Sequence, residues 1–313
     1  MTYKNKLIFL VSLIAVFALL LTGNIIYNSD IGTKQASYVW LDSKAAEKIT
    51  KLIFNSEEHE FEISYRNNQW SVLYNDTVYP ARKSRIDDFL SILTTRSSWS
   101  VRSSSAATHD RFGLAHSFSN IKVYAENALL LDLLLGNDDI FKNETYFRKA
   151  GQNEVRSGDS SIKTYVTGPI TSWYNLRLIP ESEGSSVLFD INSVQKLSVY
   201  SSDDTQIFSR RNRTWTIEGV DNPNVSVIES YIRTIINTEG DGFAEPETIT
   251  SDFNNGDRIV LEFGNGRIIT IRLTEGDDTG RRYAQVSGKD YIYSIPSWSA
   301  GRLFRDIEGF KNQ

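Results

Sequence analysis

Hydrophobic and polar residues recur with two different periods along this chain. Phe61, Ile63 and Tyr65 occupy every second position, which is typical of a half-buried β-strand. Further on, apolar residues fall three and four positions apart, as on one face of an amphipathic helix, at Ile86, Phe89, Leu90 and Leu93. Residues 129–135 are almost continuously apolar, which predicts a strand in the middle of a sheet with both faces covered.

The same succession of elements occurs twice. Segment 51–72 reads KLIFNSEEHEFEISYRNNQWSV and segment 196–217 reads KLSVYSSDDTQIFSRRNRTWTI, with seven identical positions and no gap. A second helical pattern follows the second copy, at Ile228, Tyr231, Ile232 and Ile235. Matching segments then pair Tyr146 with Tyr283, and Trp173 with Trp298. This preserved order indicates an internal duplication.

The spacing between the copies falls from 145 residues at the first pair of tryptophans to 125 at the last, as loop deletions would produce. We predict an α+β fold in which an N-terminal transmembrane helix precedes two tandem repeats. Each repeat is expected to be a mixed, mostly antiparallel sheet with one packed amphipathic helix. The expected bounds are 1–27 for a cytoplasmic tip and anchor, 28–44 for a linker, and 45–180 and 188–313 for the repeats.

The N-terminal segment has the pattern of a membrane anchor. Lys4 and Lys6 precede an apolar stretch that runs, with few interruptions, from residue 7 to residue 27. As a helix these 21 residues would be about 31 Å long, sufficient to cross a bilayer. The lysines place the N-terminus in the cytoplasm and the bulk of the chain in the periplasm. A cleaved signal peptide is the alternative, but no A-x-A-like cleavage site follows the apolar run.

Composition excludes several classes of function. The 313 residues contain no cysteine, which excludes disulfides, thiolate nucleophiles and cysteine-ligated metals. The net charge is -5 and basic residues are not concentrated, which argues against nucleic acid as a partner.

Candidate chemistry is sparse. His59, His109 and His116 lack the spacing of metal ligands or of a catalytic nucleophile motif, although His109 and Asp110 leave a Ser/His/Asp site formally open. Acidic pairs, such as those at 138–139, 203–204 and 277–278, are predicted to form turns and not calcium loops. No phosphate-binding glycine loop follows a strand. We therefore predict no catalytic residue, no cofactor and no metal.

The tryptophans invite a carbohydrate-binding interpretation, but their positions favour another one. Trp70 and Trp215 begin equivalent strands in the two copies, and residues repeated in this way usually belong to the core. Trp40 and Trp99 have no counterpart, so we expect these two to make exposed contacts.

Two short motifs, Phe112-Gly113-Leu114 and Tyr146-Phe147-Arg148, resemble those of a bacterial family known as domain of unknown function 4340. Phe112, Gly113 and Leu114 match its [YF]-G-L motif, although Ala115 and His116 replace the Asp and Pro that often follow. The remaining matches are a strand with Trp70 and Val72, a strand ending in Leu135 and Gly136, and a strand with Tyr146, Phe147 and Arg148. The second copy lacks the G-L motif, so its assignment depends on the internal repeat.

The resemblance implies an extracytoplasmic accessory, scaffold or binding subunit without catalytic activity of its own. Such proteins are companions of ABC-type export systems related to gliding-motility transporters, so it implies a permease, ATPase or auxiliary subunit as partner. An envelope glycan-binding protein or carboxylate-dependent hydrolase is the alternative, and it requires two acidic residues that converge in a cleft. A surface adhesion or structural module is a third possibility.

Overall fold

The computed structural model describes residues 36–180, 182–183, 186–187, 190–201, 204–244, 249, 252–253 and 256–312. The predicted anchor and linker residues 28–35 lie outside this range. Within the range, no helix is both long enough and apolar enough to cross a membrane.

The chain forms two compact units. The first comprises Met1–Gln69 and Ile86–Gly168, and the second comprises Trp70–Arg85 and Pro169–Gln313. This division follows contacts in space, whereas the bounds 45–180 and 188–313 describe repetition along the sequence and stay a prediction.

The first unit is built on one antiparallel sheet. Its strands are β1 (Ala36–Tyr38), β2 (Lys51–Asn55), β3 (Glu60–Arg66), β6 (Ser97–Ser103), β7 (Ser119–Ala125), β8 (Ala128–Asp138), β9 (Glu144–Lys149) and β10 (Val155–Asp159). They lie in the order β1-β6-β10-β9-β8-β7-β2-β3. Its helices are α1 (Ser43–Ala46), α2 (Lys83–Thr94, which enters this unit at Ile86) and α3 (Ser161–Thr167).

The second unit carries another antiparallel sheet. Two short hairpins, β4 (Gln69–Tyr74) with β5 (Thr77–Pro80) and β11 (Ser182–Glu183) with β12 (Ser186–Val187), precede it along the chain. The sheet strands are β13 (Val194–Tyr200), β14 (Thr205–Arg211), β15 (Thr214–Ile217), β16 (Gly242–Ala244), β17 (Arg258–Phe263), β18 (Ile268–Leu273), β19 (Arg282–Val286) and β20 (Ile292–Ile295). Their order is β15-β14-β13-β17-β18-β19-β20-β16. Helices α4 (Val225–Ile236) and α5 (Ser297–Ala300) complete the unit.

The two sheets share one strand order. In the first, the sequence β3-β2-β7-β8-β9-β10-β6 crosses the sheet, and in the second β14-β13-β17-β18-β19-β20-β16 does the same. A twelve-residue helix, α2 or α4, precedes the last strand of each series in the chain. The turns after β3 and β14 also agree, since Asn67, Asn68, Asn212 and Arg213 all have positive φ, as a two-residue type I′ turn requires.

The α+β class is confirmed, and the details refine it. The described strands pair in antiparallel fashion throughout, so neither sheet is mixed. The first unit buries residues of a second helix, α3, in addition to α2, because the Tyr165 ring packs 5.3 Å from that of Phe89.

Strand β8 lies mid-sheet as expected, but only its second half is covered on both faces. Leu133, Leu134 and Leu135 are buried, whereas Leu129 is 50% exposed. The expectation for the whole run was therefore wrong at its start, because the element that covers the second face reaches only the end of the strand.

Candidate functional site at the ends of β8 and β9

The element that covers the end of β8 is a glycine-containing loop. A 3₁₀ turn, Asp110–Phe112, ends at Gly113, whose φ of 68° lies in the left-handed region that favours glycine. A Cβ atom on Gly136 would lie 2.1 Å from the Phe112 carbonyl oxygen and 2.9 Å from Leu114 Cγ. The two glycines are therefore needed for different reasons. Gly113 adopts the left-handed backbone conformation, and Gly136 has no side chain that would block the close approach of the Phe112 carbonyl.

A small hydrophobic cluster holds this loop on the sheet. Leu114 is fully buried and packs with Phe112, Leu134 and Val155. The Tyr146 ring, which is partly buried, lies 4.7 Å from that of Phe112. The loop thus closes the second face of β8 where the strand becomes apolar on both sides.

Arg148 joins the same corner from β9. Its Nη2 donates to the Leu114 carbonyl at 3.3 Å and its Nη1 donates to the Gln152 carbonyl at 3.4 Å. The structure therefore brings together five of the residues singled out in the sequence, namely Gly113, Leu114, Gly136, Tyr146 and Arg148.

The pairing of β8 with β9 contains an irregularity next to this corner. It passes from Leu135 opposite Phe147 to Asp138 opposite Thr145, so one strand has an extra residue. The Gly136 carbonyl instead accepts a hydrogen bond from Lys163 Nζ at 2.8 Å.

Asp138 fixes the end of β8 through its carboxylate. Its Oδ1 accepts hydrogen bonds from Thr145 Oγ1 at 2.5 Å and from Lys163 Nζ at 3.3 Å. Thr145 is fully buried, so this interaction pins β8 to the interior as well as to α3.

A hydrogen-bonded turn follows. Asp139 Oδ1 accepts from the backbone N–H groups of Asn143 at 2.8 Å and Glu144 at 3.0 Å. These donors, that of Glu144 first, hold the pKa of Asp139 below its usual value. Lys142 takes a positive φ of 57° to close the turn. The acidic pair 138–139 therefore forms a turn, as the sequence predicted.

The turn exposes two large apolar side chains. Ile140 is 89% exposed and Phe141 is 74% exposed. We call these two residues the apolar tip. Sequence analysis missed the tip, although two bulky apolar residues inside the polar segment DDIFKN were a signal of it.

A charged network supports the tip from β6, β9 and β10. Arg102 donates to Glu144 Oε2 at 2.7 Å through Nη2 and to Ser157 Oγ at 2.7 Å through Nε. Ser157 Oγ in turn donates to Glu144 Oε2 at 2.5 Å. The hydrogen bond from Ser157, followed by that from Arg102, lowers the pKa of Glu144. The tip is therefore exposed on a rigid base.

A polar pocket of about 270 Å³ opens beside α3. Lys163 lines it together with Glu57, Glu58, Ser119 and Asn137. The Lys163 ammonium is already bound to Asp138 and the Gly136 carbonyl, which is the arrangement of a structural lysine. No group of three or more potential metal ligands occurs among the described residues.

The other residues singled out in the sequence lie elsewhere. Trp215 is buried as a core residue should be, and Trp70 is half-buried. Trp173 is fully buried, whereas Trp298 is 65% exposed on α5, with Arg302 Cζ 5.1 Å from its ring centroid. Tyr283 is partly buried and its N–H donates to Thr274 Oγ1.

The expectation that Trp40 and Trp99 make exposed contacts was wrong. Both are only 6% exposed, and their ring centroids lie 4.1 Å apart. Phe147 packs edge-on against each ring. Trp40 follows β1, Trp99 lies in β6 and Phe147 lies in β9, so their rings form one buried aromatic cluster of the first unit.

Two histidines act as structural groups. His59 Nε2 lies 3.1 Å from the Val166 carbonyl oxygen and His109 Nε2 lies 2.9 Å from that of Asn153. Asp277 caps its own turn, accepting from the N–H groups of Thr279 and Arg281. Of the acidic pair 203–204, Asp203 falls outside the described residues.

Comparison with curated proteins and with solved structures finds no match. A family model does match, over residues 70–251, which is more than half of the 313-residue chain. The matched range contains the Gly113 loop, the Gly136 corner, Arg148 and the apolar tip. The chain belongs to the family described as domain of unknown function (DUF4340).

Proposed function

We propose that this protein is a membrane-anchored, extracytoplasmic accessory or scaffold subunit that binds a membrane partner of an ABC-type transport system. The apolar tip is the observation that carries the proposal. Ile140 and Phe141 are exposed at the end of a turn whose backbone is fixed by Asp139.

The tip has the energetic properties of a docking element. Burying an Ile or Phe side chain gains about 1.5–3 kcal/mol, so two adjacent ones form a strong local anchor. Because the turn is already ordered by its hydrogen bonds, little conformational entropy is lost when a partner covers it. Without a partner, two apolar side chains exposed to water lower the solubility of the protein and bring no benefit.

The duplicated architecture supports a scaffold. We propose that the described sheets derive from one repeated unit, because seven strands follow the same order in each. Among the described residues, the Ile140–Phe141 tip belongs to the first copy, so duplication would have left one sheet free to specialise as the binding copy.

The anchor supports a partner in the same membrane. We place residues 7–27 across the bilayer on the evidence of their apolar run and the preceding Lys4 and Lys6. Tethering both proteins to one membrane raises their effective concentration, so a two-residue tip suffices where a free protein would need a larger interface. The family resemblance points to a permease or an auxiliary subunit.

The test is crosslinking in cells. A photoreactive phenylalanine analogue at Phe141 should yield a crosslink to a permease, ATPase or auxiliary subunit after irradiation and purification. The same analogue at Asn75, an exposed residue of another tight turn, is the matched control. If both sites give the same products, or if neither enriches a transporter subunit over other membrane proteins, the proposal fails.

A double variant, Ile140→Ser with Phe141→Ser, separates binding from folding. Both side chains are exposed, so we expect the thermal unfolding midpoint to stay within about 2 °C of the wild type. Co-purification with the partner should be lost. Ile268→Ser, at another exposed apolar residue, should leave co-purification intact.

A further inference from the structure

A second pocket lies in the first unit, between β1, β6 and the connection from β9 to β10. We call it the Arg148 pocket, and its volume is about 250 Å³. The residues that matter for its chemistry are Tyr38, Trp99, Arg148, Lys149, Glu154 and Arg156.

The pocket has an excess of positive charge. Three cations, Arg148, Lys149 and Arg156, line it with a single carboxylate, Glu154. That carboxylate is already engaged, since its Oε1 accepts from Arg156 Nε at 2.5 Å. Two positive charges are thus left in a space large enough for a small anion.

Among these cations, Arg148 gives the strongest indication of an anion-binding site. It is half-buried, and among the described residues it has carbonyl partners but no carboxylate. Its Nε is buried without a hydrogen-bond partner in that part of the chain. Each Nη nitrogen of a guanidinium carries two hydrogens, so one hydrogen on each remains for an oxyanion after the bonds to the Leu114 and Gln152 carbonyls.

The aromatic residues of the pocket do not present a free face for a sugar. The Tyr38 ring stacks on Trp99 at 4.9 Å with an interplanar angle of 6°, and Arg156 Cζ lies 4.3 Å from the Tyr38 centroid. Trp99 Nε1 donates to Ser97 Oγ at 2.8 Å. Recognition in this pocket therefore depends on charge.

We propose that the Arg148 pocket binds a phosphate group, to which Arg148 donates the Nη hydrogens not used by Leu114 and Gln152, and which Lys149 neutralises as a point charge. A phosphate carries the one to two negative charges that the pocket lacks, and arginine–phosphate pairs form two parallel hydrogen bonds.

The headgroup of an anionic phospholipid is the favoured source, and this choice rests on the anchor of the proposed function. Tyr38 lines the pocket and follows residue 27, the end of the expected span, by eleven positions. A fully extended chain of that length reaches no more than about 40 Å, so the tether keeps the pocket within that distance of the end of the expected span. A soluble phosphorylated compound offers the same chemistry.

Titration with inorganic phosphate tests the pocket. The full-length protein in maltoside micelles, which contain no phosphate, should bind it in a calorimeter with an affinity that falls as sodium chloride is added. Lys149→Gln should weaken binding about tenfold, as expected for one lost charged hydrogen bond. Lys44→Gln, at an exposed lysine of α1, should not change it.

Lys149 is exposed and has no ion pair among the described residues, so its variant should fold normally. Arg148→Lys keeps the charge and removes the fork, and it should also weaken binding. Absence of phosphate binding by the wild type would overturn the proposal, as would equal affinities of the Lys149 and Lys44 variants.

Nanodiscs of phosphatidylglycerol identify the source. If a headgroup fills the pocket, inorganic phosphate should no longer bind in these discs, whereas binding that persists would overturn the lipid source and assign the pocket to a soluble phosphorylated ligand. Failure of the transporter crosslink would leave the micelle titration unchanged, so the two proposals fail separately.

Discussion

The close approach at Gly136 makes a substitution to alanine unusually informative. Gly136 does not have a positive φ, and at such a position alanine ordinarily stabilises a protein by about 0.4–1 kcal/mol through the unfolded state. Here the added Cβ would lie 2.1 Å from a backbone oxygen, that of Phe112. The steric clash and the chain entropy therefore predict opposite signs for the change in stability on substitution to alanine.

The magnitude follows from the distance. An ordinary carbon–oxygen contact is about 3.3 Å, so the loop would have to withdraw by about 1.2 Å. Overpacking of this kind costs about 1–3 kcal/mol, and withdrawal also uncovers part of Leu114, which is fully buried. We expect Gly136→Ala to lower the free energy of local opening by about 2–3 kcal/mol after the entropic gain is subtracted.

Hydrogen exchange measured by mass spectrometry reports this opening region by region. Peptides from β8 should exchange roughly 30- to 150-fold faster in the variant. Gly151→Ala is the control, because Gly151 has a φ of 75° with nothing within 4 Å of the added atom. Its cost of about 1–2 kcal/mol should come from backbone strain and stay near the turn between β9 and β10. Unchanged or slower exchange of β8 in Gly136→Ala would refute the steric argument.

Three further outcomes are expected. Trp173→Ala should cost about 3–5 kcal/mol in urea denaturation, whereas Trp298→Ala should cost less than about 0.5 kcal/mol, and equal costs would contradict their different burial. The NMR signal of the Glu144 amide should titrate with a midpoint below the usual pKa of an aspartate, because the Asp139 pKa is lowered. The turn is then intact above about pH 4 and weakens as the pH falls through that lowered pKa. A midpoint at or above about pH 4 would disprove this role of Asp139. Glu239→Gln removes a carboxylate that bridges two arginines, yet all three side chains are partly exposed, so the loss in unfolding free energy should be below about 1 kcal/mol.

Periodicity was sufficient to predict the elements that bury one face. The helical pattern around Phe89 and the alternation around Ile63 became α2 and β3, because burial on one side repeats with the period of the backbone. The turn after β3 needs two residues with positive φ, and Asn67 and Asn68 are of a residue type that accepts this conformation.

Burial that depends on distant residues could not be predicted. Trp173 and Trp298 occupy matching positions in the two copies, yet the first is fully buried and the second is 65% exposed. Gly136 was recognised in the sequence as part of a motif. The steric reason for it appears only in the fold, where the Phe112 carbonyl, from 24 positions earlier in the chain, lies against Gly136. The apolar tip was missed because the exposure of Ile140 and Phe141 cannot be predicted from the periodicity of apolar residues.

The second sheet solves the same packing problem with another residue. A Cβ on Gly256 would lie 1.7 Å from the Leu273 carbonyl oxygen, at the end of β18. Gly256 directly precedes β17 much as the Gly113 loop precedes β7. The second copy therefore keeps a close backbone approach at a glycine although it lacks the G-L motif.

The assignment of Trp70–Arg85 to the second unit has a consequence for the time course of folding in the cell. Arg82 pairs with Glu239, 157 positions later. At about 5–20 residues per second, roughly 8–30 s of synthesis separate the two. Throughout that interval Tyr79 lacks the Phe243 ring that finally stacks on it. The hairpin at residues 70–85 therefore gains these partners only after most of the chain has been synthesised.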